Sequence, residues 1–251
     1  MKKQFRIIKF KKNKPILQVR GVSKSFEGRP ILKKINLDLY AGEIVGLLGP
    51  NGCGKTSLYG CVLGRYKVDS GKIFLNQKDI TSLPIHERAR LGIGYLSQYR
   101  SVFSMSTYDN LLAVVQLTVK KHEKQRSMVE KLLTEFNLQH LRNINANLLS
   151  GGEVRRLQIA RTLINNPKII LLDEPMAALD PIVVQDIQKY ILKIQASGTA
   201  ILVTDHNVKN LFDITDRNYV LGEHTVIAEG TSREILKSSK AIEHYFGSQF
   251  S

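Results

Sequence analysis

Residues Gly49-Pro50-Asn51-Gly52-Cys53-Gly54-Lys55-Thr56 match the pattern G-x-x-x-x-G-K-[ST] at every fixed position. The mostly apolar run 43–48 before this stretch predicts a short buried strand, and the spacing of apolar residues over 55–63 predicts a helix. A strand, a glycine-rich turn and a helix in this order place backbone N–H groups and a helix N-terminus around an anion. We therefore predict a nucleotide site. The alternative, which we weight less, is an ordinary glycine-rich turn with a chance lysine.

The side chains of this loop have distinct predicted roles. Lys55 is placed to hold the β- and γ-phosphates, and the Thr56 hydroxyl is placed on Mg²⁺. The predicted nucleotide-binding set comprises Gly49, Pro50, Asn51, Gly52, Cys53, Gly54, Lys55, Thr56 and Ser57. Because Cys53 precedes a helix, we expect a lowered thiol pKa and faster reaction than at Cys61. We also expect alkylation of Cys53 to block nucleotide binding.

Composition sets the class of protein. The chain has 251 residues, 43% of them hydrophobic, which is enough for a sizeable core. No apolar run approaches the roughly 20 residues of a membrane span, and no secretory signal is visible, so we expect a cytoplasmic protein. The net charge of +15 suits an acidic partner or a solvated basic surface. Seven of the first fourteen residues are Lys or Arg, which predicts a basic tail over 1–15 and one domain over 16–251.

Hydrophobic patterning predicts an α/β fold with a mostly parallel core sheet. Alternating residues over 16–19, 23–26 and 31–39 predict an antiparallel entry subdomain, with a turn at 27–30. Phe26 lies where a ring could stack on a purine, although burial in the core is the commoner use of such a residue. From 106 to 148 glycine is absent, and Ser106-x-x-Asp109 predicts a helix start. We predict an all-helical insert over about 104–150.

Polar residues follow several of the predicted strands. Asp173 and Glu174 end a buried strand, where ligands of open α/β sheets bind. Asp173 is predicted to ligate Mg²⁺, and Glu174 to orient or deprotonate a water that attacks the γ-phosphate, although a solvated Asp-Glu turn is the plainer alternative. Gln98 could reach a metal and that water. His206 could bond a phosphate oxygen, although a lone histidine is usually structural.

A second anion cradle, meaning a turn whose backbone N–H groups face an anion as in the phosphate loop, is predicted from Leu149 to Glu153. Ser150, Gly151 and Gly152 precede a helix with apolar residues on one face, so that their backbone N–H groups resemble those of the first loop. One nucleotide has no evident need for two cradles.

Together these motifs resemble the ATP-binding subunits of ABC transporters from about Ile16 onward. The phosphate loop resembles Walker A, and the positions of Gln98, 149–153, 169–174, 178–180 and His206 resemble the Q-loop, signature, Walker B, D-loop and switch histidine. Phe26 matches the adenine-stacking position. The sequence departs from the usual pattern at Phe26, Cys53 and Glu153, where tyrosine, small residues and glutamine are common.

The resemblance implies a head-to-tail homodimer that forms on ATP, in which Ser150, Gly151, Gly152, Glu153 and Asp180 of one chain face the ATP held by the other. It also implies Mg²⁺, two integral-membrane subunits, a peripheral position on the inner face of the cytoplasmic membrane, and no direct nucleic-acid partner. Segments 204–208 and 228–231 look most like the ATPase of lipopolysaccharide export. Importers of branched-chain amino acids are the runner-up, and a soluble ABC ATPase acting on nucleic acid or ribosomes is a third alternative.

The short apolar patch Val102-Phe103-Ser104-Met105 follows Gln98. Local packing is the plainer interpretation. In the family, the cleft beside the helical insert receives a cytoplasmic helix of the membrane subunit, and Phe and Met suit such a contact.

Overall fold

The computed structural model describes residues 14–246. Its strands are β1 (Leu17–Phe26), β2 (Arg29–Leu39), β3 (Ile44–Leu48), β4 (Ser70–Leu75), β5 (Lys78–Asp79), β6 (Ile93–Leu96), β7 (Ile169–Asp173), β8 (Ala200–Thr204), β9 (Arg217–Gly222) and β10 (Thr225–Gly230). Its helices are α1 (Lys55–Leu63), α2 (Ile85–Arg90), α3 (Thr107–Thr118), α4 (His122–Glu135), α5 (Gly151–Leu163), α6 (Pro181–Ala196), α7 (Val208–Phe212), α8 (Ser232–Ile235) and α9 (Ser239–Ala241). Most of the predicted basic tail, residues 1–13, lies outside the described residues.

The core sheet has six strands in the order β10-β9-β3-β8-β7-β6. Strands β9, β3, β8, β7 and β6 pair in parallel, and β10 adds an antiparallel edge to β9. Every residue of β3, β7 and β8 is buried, as expected for strands that are covered on both faces. The predicted mostly parallel core sheet is therefore confirmed. All four parallel strands that precede a site residue end at the same edge.

The second sheet is antiparallel, in the order β2-β1-β4-β5, and packs over α1. The sequence predicted two strands before the turn, but the structure has one long strand, β1. Its pairing with β2 shifts register between Val19 and Val22, where Gly21 has a φ of +60°. A bulge of this kind keeps one strand continuous while it breaks the alternation of the sequence.

Between β6 and β7 the chain is helical. Helices α3 and α4 are followed by short 3₁₀ turns at Gln139–Leu141 and Ala146–Leu148, and then by α5. The predicted start of α3 is confirmed, because the Ser106 hydroxyl accepts a hydrogen bond from the backbone N–H of Asp109. The bounds 104–150 of a separate insert stay a prediction. Over residues 14–246, no helix combines the length and the apolar character that crossing a bilayer requires.

A buried ion-pair network ties the two sheets together at the amino ends of β3 and β9, away from the cavity described below. Arg217 on β9 donates to both oxygens of Glu43, at 2.8 and 3.1 Å, and Glu43 is fully buried. The same guanidinium donates to the Asp38 carbonyl at the end of β2 and to the Tyr219 hydroxyl. Desolvation lowers the pKa of Arg217, but its bonds to Glu43 outweigh that effect and raise it. The network holds the turn between β2 and β3, at the start of the strand that leads to the phosphate loop.

Candidate functional site

A cavity of about 440 Å³ lies at the carboxyl edge of the core sheet. Its walls contain many of the residues that the sequence singled out, namely Phe26, Asn51, Gly52, Gly54, Lys55, Thr56, Ser57, Gln98, Glu174 and His206. Ile31 completes the lining and was not predicted. A larger groove of about 1000 Å³ runs along α4 and is lined by none of the predicted site residues.

The loop between β3 and α1 is compact because glycines occupy its tightest points. A Cβ atom on Gly49, where φ is +145°, would lie 2.4 Å from the Leu221 carbonyl and 2.7 Å from the Cys53 sulfur. Gly54, with a φ of +109°, directly precedes α1. The Lys55 Nζ donates to the carbonyls of Gly49 and Pro50 at 2.6 and 2.9 Å, so its charge lies inside the loop. This arrangement concentrates N–H groups and a positive charge on the cavity side.

Two predicted catalytic side chains, Gln98 and His206, contact the carboxylate of a third, Glu174. Gln98 Nε2 donates to Glu174 Oε2 at 2.9 Å, and His206 Nε2 lies 2.8 Å from Glu174 Oε1. They come from the segments that follow β6, β7 and β8, which are adjacent strands. The structure thus brings together an amide, a carboxylate and an imidazole in the cavity that Lys55 also lines.

The Glu174 carboxyl has a raised pKa and an uncommon backbone conformation. Burial raises its pKa, and the neighbouring His206 lowers it in partial opposition. Its backbone φ is +51°, in the left-handed region, and its N–H donates to the Thr204 carbonyl at 3.1 Å. Arg155 Nη2 donates to the Glu174 carbonyl at 3.3 Å. These backbone contacts fix an uncommon conformation and aim the side chain at the cavity.

Asp173 lies behind the cavity rather than on its surface. Its side chain is buried and accepts hydrogen bonds from the hydroxyls of Thr204, at 2.9 Å, and Tyr95, at 3.3 Å. Of the three predicted metal ligands, Thr56 and Gln98 line the cavity and Asp173 does not. Over residues 14–246, no group of three or more His, Cys, Asp or Glu side chains is arranged to hold a metal ion.

The expected lowering of the Cys53 thiol pKa was wrong, whereas faster reaction than at Cys61 and loss of nucleotide binding on alkylation stay predictions. Burial raises the pKa of its thiol, and the nearby Lys55 only partly offsets the effect. Burial also raises the pKa of Cys61, to about 11. The N-terminal end of α1 and Lys55 favour the thiolate, but removing the thiol from water costs more. Neither cysteine has the environment of an activated thiol.

Phe26 is partly exposed, so it does not have the buried core position that is more common for an aromatic residue. The ring has 38% of its surface exposed and meets Tyr66 edge to face, with centroids 5.1 Å apart. The Lys24 ammonium lies 5.2 Å from its centroid. Phe26 is therefore a partly exposed residue in the lining of the cavity.

The predicted second cradle lies away from this cavity in the same chain. We call residues 149–153 the signature turn. Ser150 and Glu153 form a capping box at the start of α5, in which Glu153 accepts from the Ser150 backbone and hydroxyl at 2.8 Å each. This box was missed, although the spacing Ser-x-x-Glu predicts it. Asp180 is exposed at the start of α6, whose Val183 packs tightly against Gly152.

Comparison with known proteins identifies the family. The sequence pattern described as "ABC transporter" matches residues 32–177, more than half of the chain. This chain belongs to the ABC transporter family. It is 44% identical over 236 residues to the lipopolysaccharide export system ATP-binding protein LptB of Escherichia coli K12, covering 93% of this chain and 98% of that protein. LptB of Haemophilus influenzae is 43% identical, with 94% and 98% covered.

Solved structures of ABC cassettes agree with the fold. A nucleotide-free ATP-binding cassette from an ABC transporter superposes with a TM-score of 0.84 at 29% identity, covering 93% of this chain and all of that one. A dimeric cassette in a post-hydrolysis state with ADP and phosphate superposes with a TM-score of 0.77 at 25% identity, covering 86% and 98%. The fold class predicted from the sequence, a P-loop ATPase of ABC type, is confirmed, and so is the prediction of an ABC transporter ATPase.

Proposed function

We propose that this chain is the ATP-hydrolysing subunit of a lipopolysaccharide exporter. The observation that carries the proposal is the contact of Gln98 and His206 with Glu174 in the cavity that Lys55 also lines. The similarity to LptB over nearly the whole length of both proteins supports the choice of transporter. ATP is the substrate, and the triphosphate lies on the loop between β3 and α1.

In this proposal, each group of residues in the cavity has its own role in phosphoryl transfer. Backbone N–H groups of the loop and Lys55 bind the phosphates, and Phe26 stacks on the adenine ring. Glu174 accepts a proton from, or orients, the water that attacks the γ-phosphate. Gln98 and His206 hold that carboxylate in place.

The cavity fits Mg²⁺ as a companion of ATP. The available donors are oxygens, and the described residues offer too few carboxylates for an all-protein cage, which suits an ion that also binds phosphate oxygens. Thr56 and Gln98 would hold the ion, and Asp173 would act from behind the cavity wall. When bound, Mg²⁺ neutralises charge on the β- and γ-phosphates.

In a head-to-tail dimer, the signature turn has a role in binding ATP. It lies apart from the cavity in its own chain, but it exposes Ser150, Gly151 and the start of α5. In the proposed dimer, Ser150, Gly151, Gly152, Glu153 and Asp180 face the ATP that is bound by the partner chain. The dimeric cassette similar to this chain supports such an assembly.

The proposal includes two integral-membrane subunits and a peripheral position on the inner face of the cytoplasmic membrane. Affinity isolation of the chain from mild-detergent extracts, followed by identification of the co-purifying proteins, tests it. We expect lipopolysaccharide-export permeases. Amino-acid permeases instead would show an importer, and ribosomal proteins or nucleic acid without membrane proteins would contradict any transporter function.

A further inference from the structure

Arg100 connects the segment after Gln98 to the signature turn. Its Nη2 nitrogen donates to the carbonyls of Ala146 and Asn147, at 2.9 Å each, and of Leu149, at 3.1 Å. Those carbonyls belong to the last 3₁₀ turn before Ser150, and the carbonyls at the end of such a turn need partners from outside it. Because the donor is charged, these bonds are of the stronger kind.

A second set of hydrogen bonds runs in the opposite direction, from α5 to the segment 97–101. Arg155 donates to the Ser97 carbonyl at 3.1 Å, and Gln158 donates to the Tyr99 carbonyl at 3.0 Å. Arg161 donates to the Ser101 carbonyl at 2.7 Å. These donors hold the segment against the body of α5. Among the bonds named here, only those of Arg100 reach the carbonyls that lead into the signature turn.

The two ends of this connection serve different ATP molecules in the dimer. Gln98 touches Glu174 in the cavity of its own chain, at 2.9 Å. Ser150 lies outside that cavity and, in the proposed dimer, faces the ATP of the partner chain. A rigid link between Gln98 and the signature turn therefore joins one catalytic site to the other.

We propose that Arg100 is a positioning residue that makes Gln98 and the signature turn move as one body, so that ATP in one site promotes closure of the other. This inference rests on the proposed function, because it requires the head-to-tail dimer. Arg100 itself touches no reacting atom.

The test compares Arg100→Ala with the wild type and with the matched control Arg142→Ala. Arg142 also lies between β6 and β7 but pairs with exposed Glu130. In a Glu174→Gln background, we expect Arg100→Ala to raise the ATP concentration for half-maximal dimer formation about tenfold, within the range of measured couplings. ATP affinity at protein concentrations too low for dimerisation, and the melting temperature, should match those of the control.

The cooperativity of ATP hydrolysis is an independent test of the role of Arg100. With Glu174 intact, we expect the Hill coefficient for ATP to fall to about 1 in Arg100→Ala, and Arg100→Lys to recover part of the wild-type value because an ammonium can still donate to the same carbonyls. A double-mutant cycle with Gln98→Ala should give non-additive effects on dimerisation, since both residues act along one path.

Three results would overturn the inference. One is wild-type dimerisation and cooperativity in Arg100→Ala, and another is full additivity with Gln98→Ala. The third is a loss of thermal stability that accounts for the change, with no recovery in Arg100→Lys. A wild-type chain that stays monomeric with ATP would overturn the proposed function as well, so the two failures are distinguishable.

Discussion

Glu174 carries its carboxylate on a backbone that L-residues rarely adopt. A φ of +51° for a residue other than glycine costs on the order of 1–3 kcal/mol, which the surrounding contacts must offset. Thr204 and Arg155 hold the peptide groups on either side of its Cα atom. Strain of this kind is often found where a side chain must be aimed accurately, and here it aims a carboxylate whose pKa is raised by burial.

Glu174→Gln is expected to bind ATP and to hydrolyse it at least about a hundredfold more slowly, because the amide cannot accept a proton. The ATP-bound dimer should accumulate. Phosphate release and size-exclusion chromatography with ATP measure the two effects. Glu135→Gln is the control, since Glu135 lies on α4 beside the larger groove. Hydrolysis at the wild-type rate would remove Glu174 from the mechanism.

The pH dependence of hydrolysis should report on the pair Glu174 and His206. A protonated His206 lowers the pKa of Glu174, so His206→Gln leaves that pKa higher. Glu174 must be deprotonated to act, and the acid limb of kcat/KM should therefore shift to higher pH. The profile of His86→Gln, altered on the exposed face of α2, corrects for titration of ATP itself. An unshifted acid limb would contradict the assignment.

Residue types and spacing were enough to predict the residues that line the cavity except Ile31, because phosphate binding and water activation limit the side chains that can serve. The position of Asp173 behind the cavity wall was not predictable in this way. It depends on the hydroxyls of Tyr95 and Thr204, which are distant in sequence. The Cys53 pKa was wrongly predicted for a related reason, since the thiol is buried in a core cluster that includes residues distant in sequence, such as Leu221.

At the scale of elements, the network around Arg217 has the largest predicted effect on stability. Arg217→Ala leaves the carboxylate of Glu43 fully buried without its cation, and such a loss costs about 3–5 kcal/mol. Arg142→Ala breaks an exposed pair and should cost about 1 kcal/mol or less. Urea unfolding without nucleotide measures both. Equal losses in the two variants would show that the Arg217 network is not a buried determinant of stability.

The sequence predicted where most helices and strands lie, but it did not predict the continuity of β1 or which strands pair with each other. The apolar runs 219–221 and 226–228 on either side of a turn at 222–224 predict a hairpin, and Thr231-x-x-Glu234 predicts a helix cap. The structure has both, in the pairing of β9 with β10 and in the capping box at Thr231. The continuity of β1 through Gly21 was missed, because alternation of apolar residues is lost wherever a bulge shifts the register. Pairing partners were also beyond reach, since β3 lies between strands that come much later in the chain.

At the scale of the whole molecule, the exposed patch after Gln98 bears on assembly. Phe103 and Met105 have 44% and 38% of their surfaces exposed, and the Arg161 guanidinium lies 4.4 Å from the Phe103 ring centroid. Local packing therefore leaves much of the patch uncovered. In the proposed transporter, we expect this patch to contact a helix of a membrane subunit.

Phe103→Ala is expected to reduce recovery of the membrane subunits in mild detergent about tenfold, because truncating an aromatic contact at an interface commonly costs more than 1 kcal/mol. ATP binding by the isolated chain should not change. Leu117→Ala is the control, since Leu117 is 84% exposed at the end of α3. Equal recovery with the two variants would place the membrane contact elsewhere.

The strand order also bears on how the chain is made. Strand β3, which leads into the phosphate loop, pairs with β8 and β9, and these leave the ribosome only after most of the chain. At ordinary translation speed, roughly ten to thirty seconds separate the synthesis of Leu48 from that of Arg217. During that interval, both edges of an apolar strand lack their final partners, which favours association with other nascent chains. Nascent-chain chaperones should therefore matter most for this protein before β9 emerges.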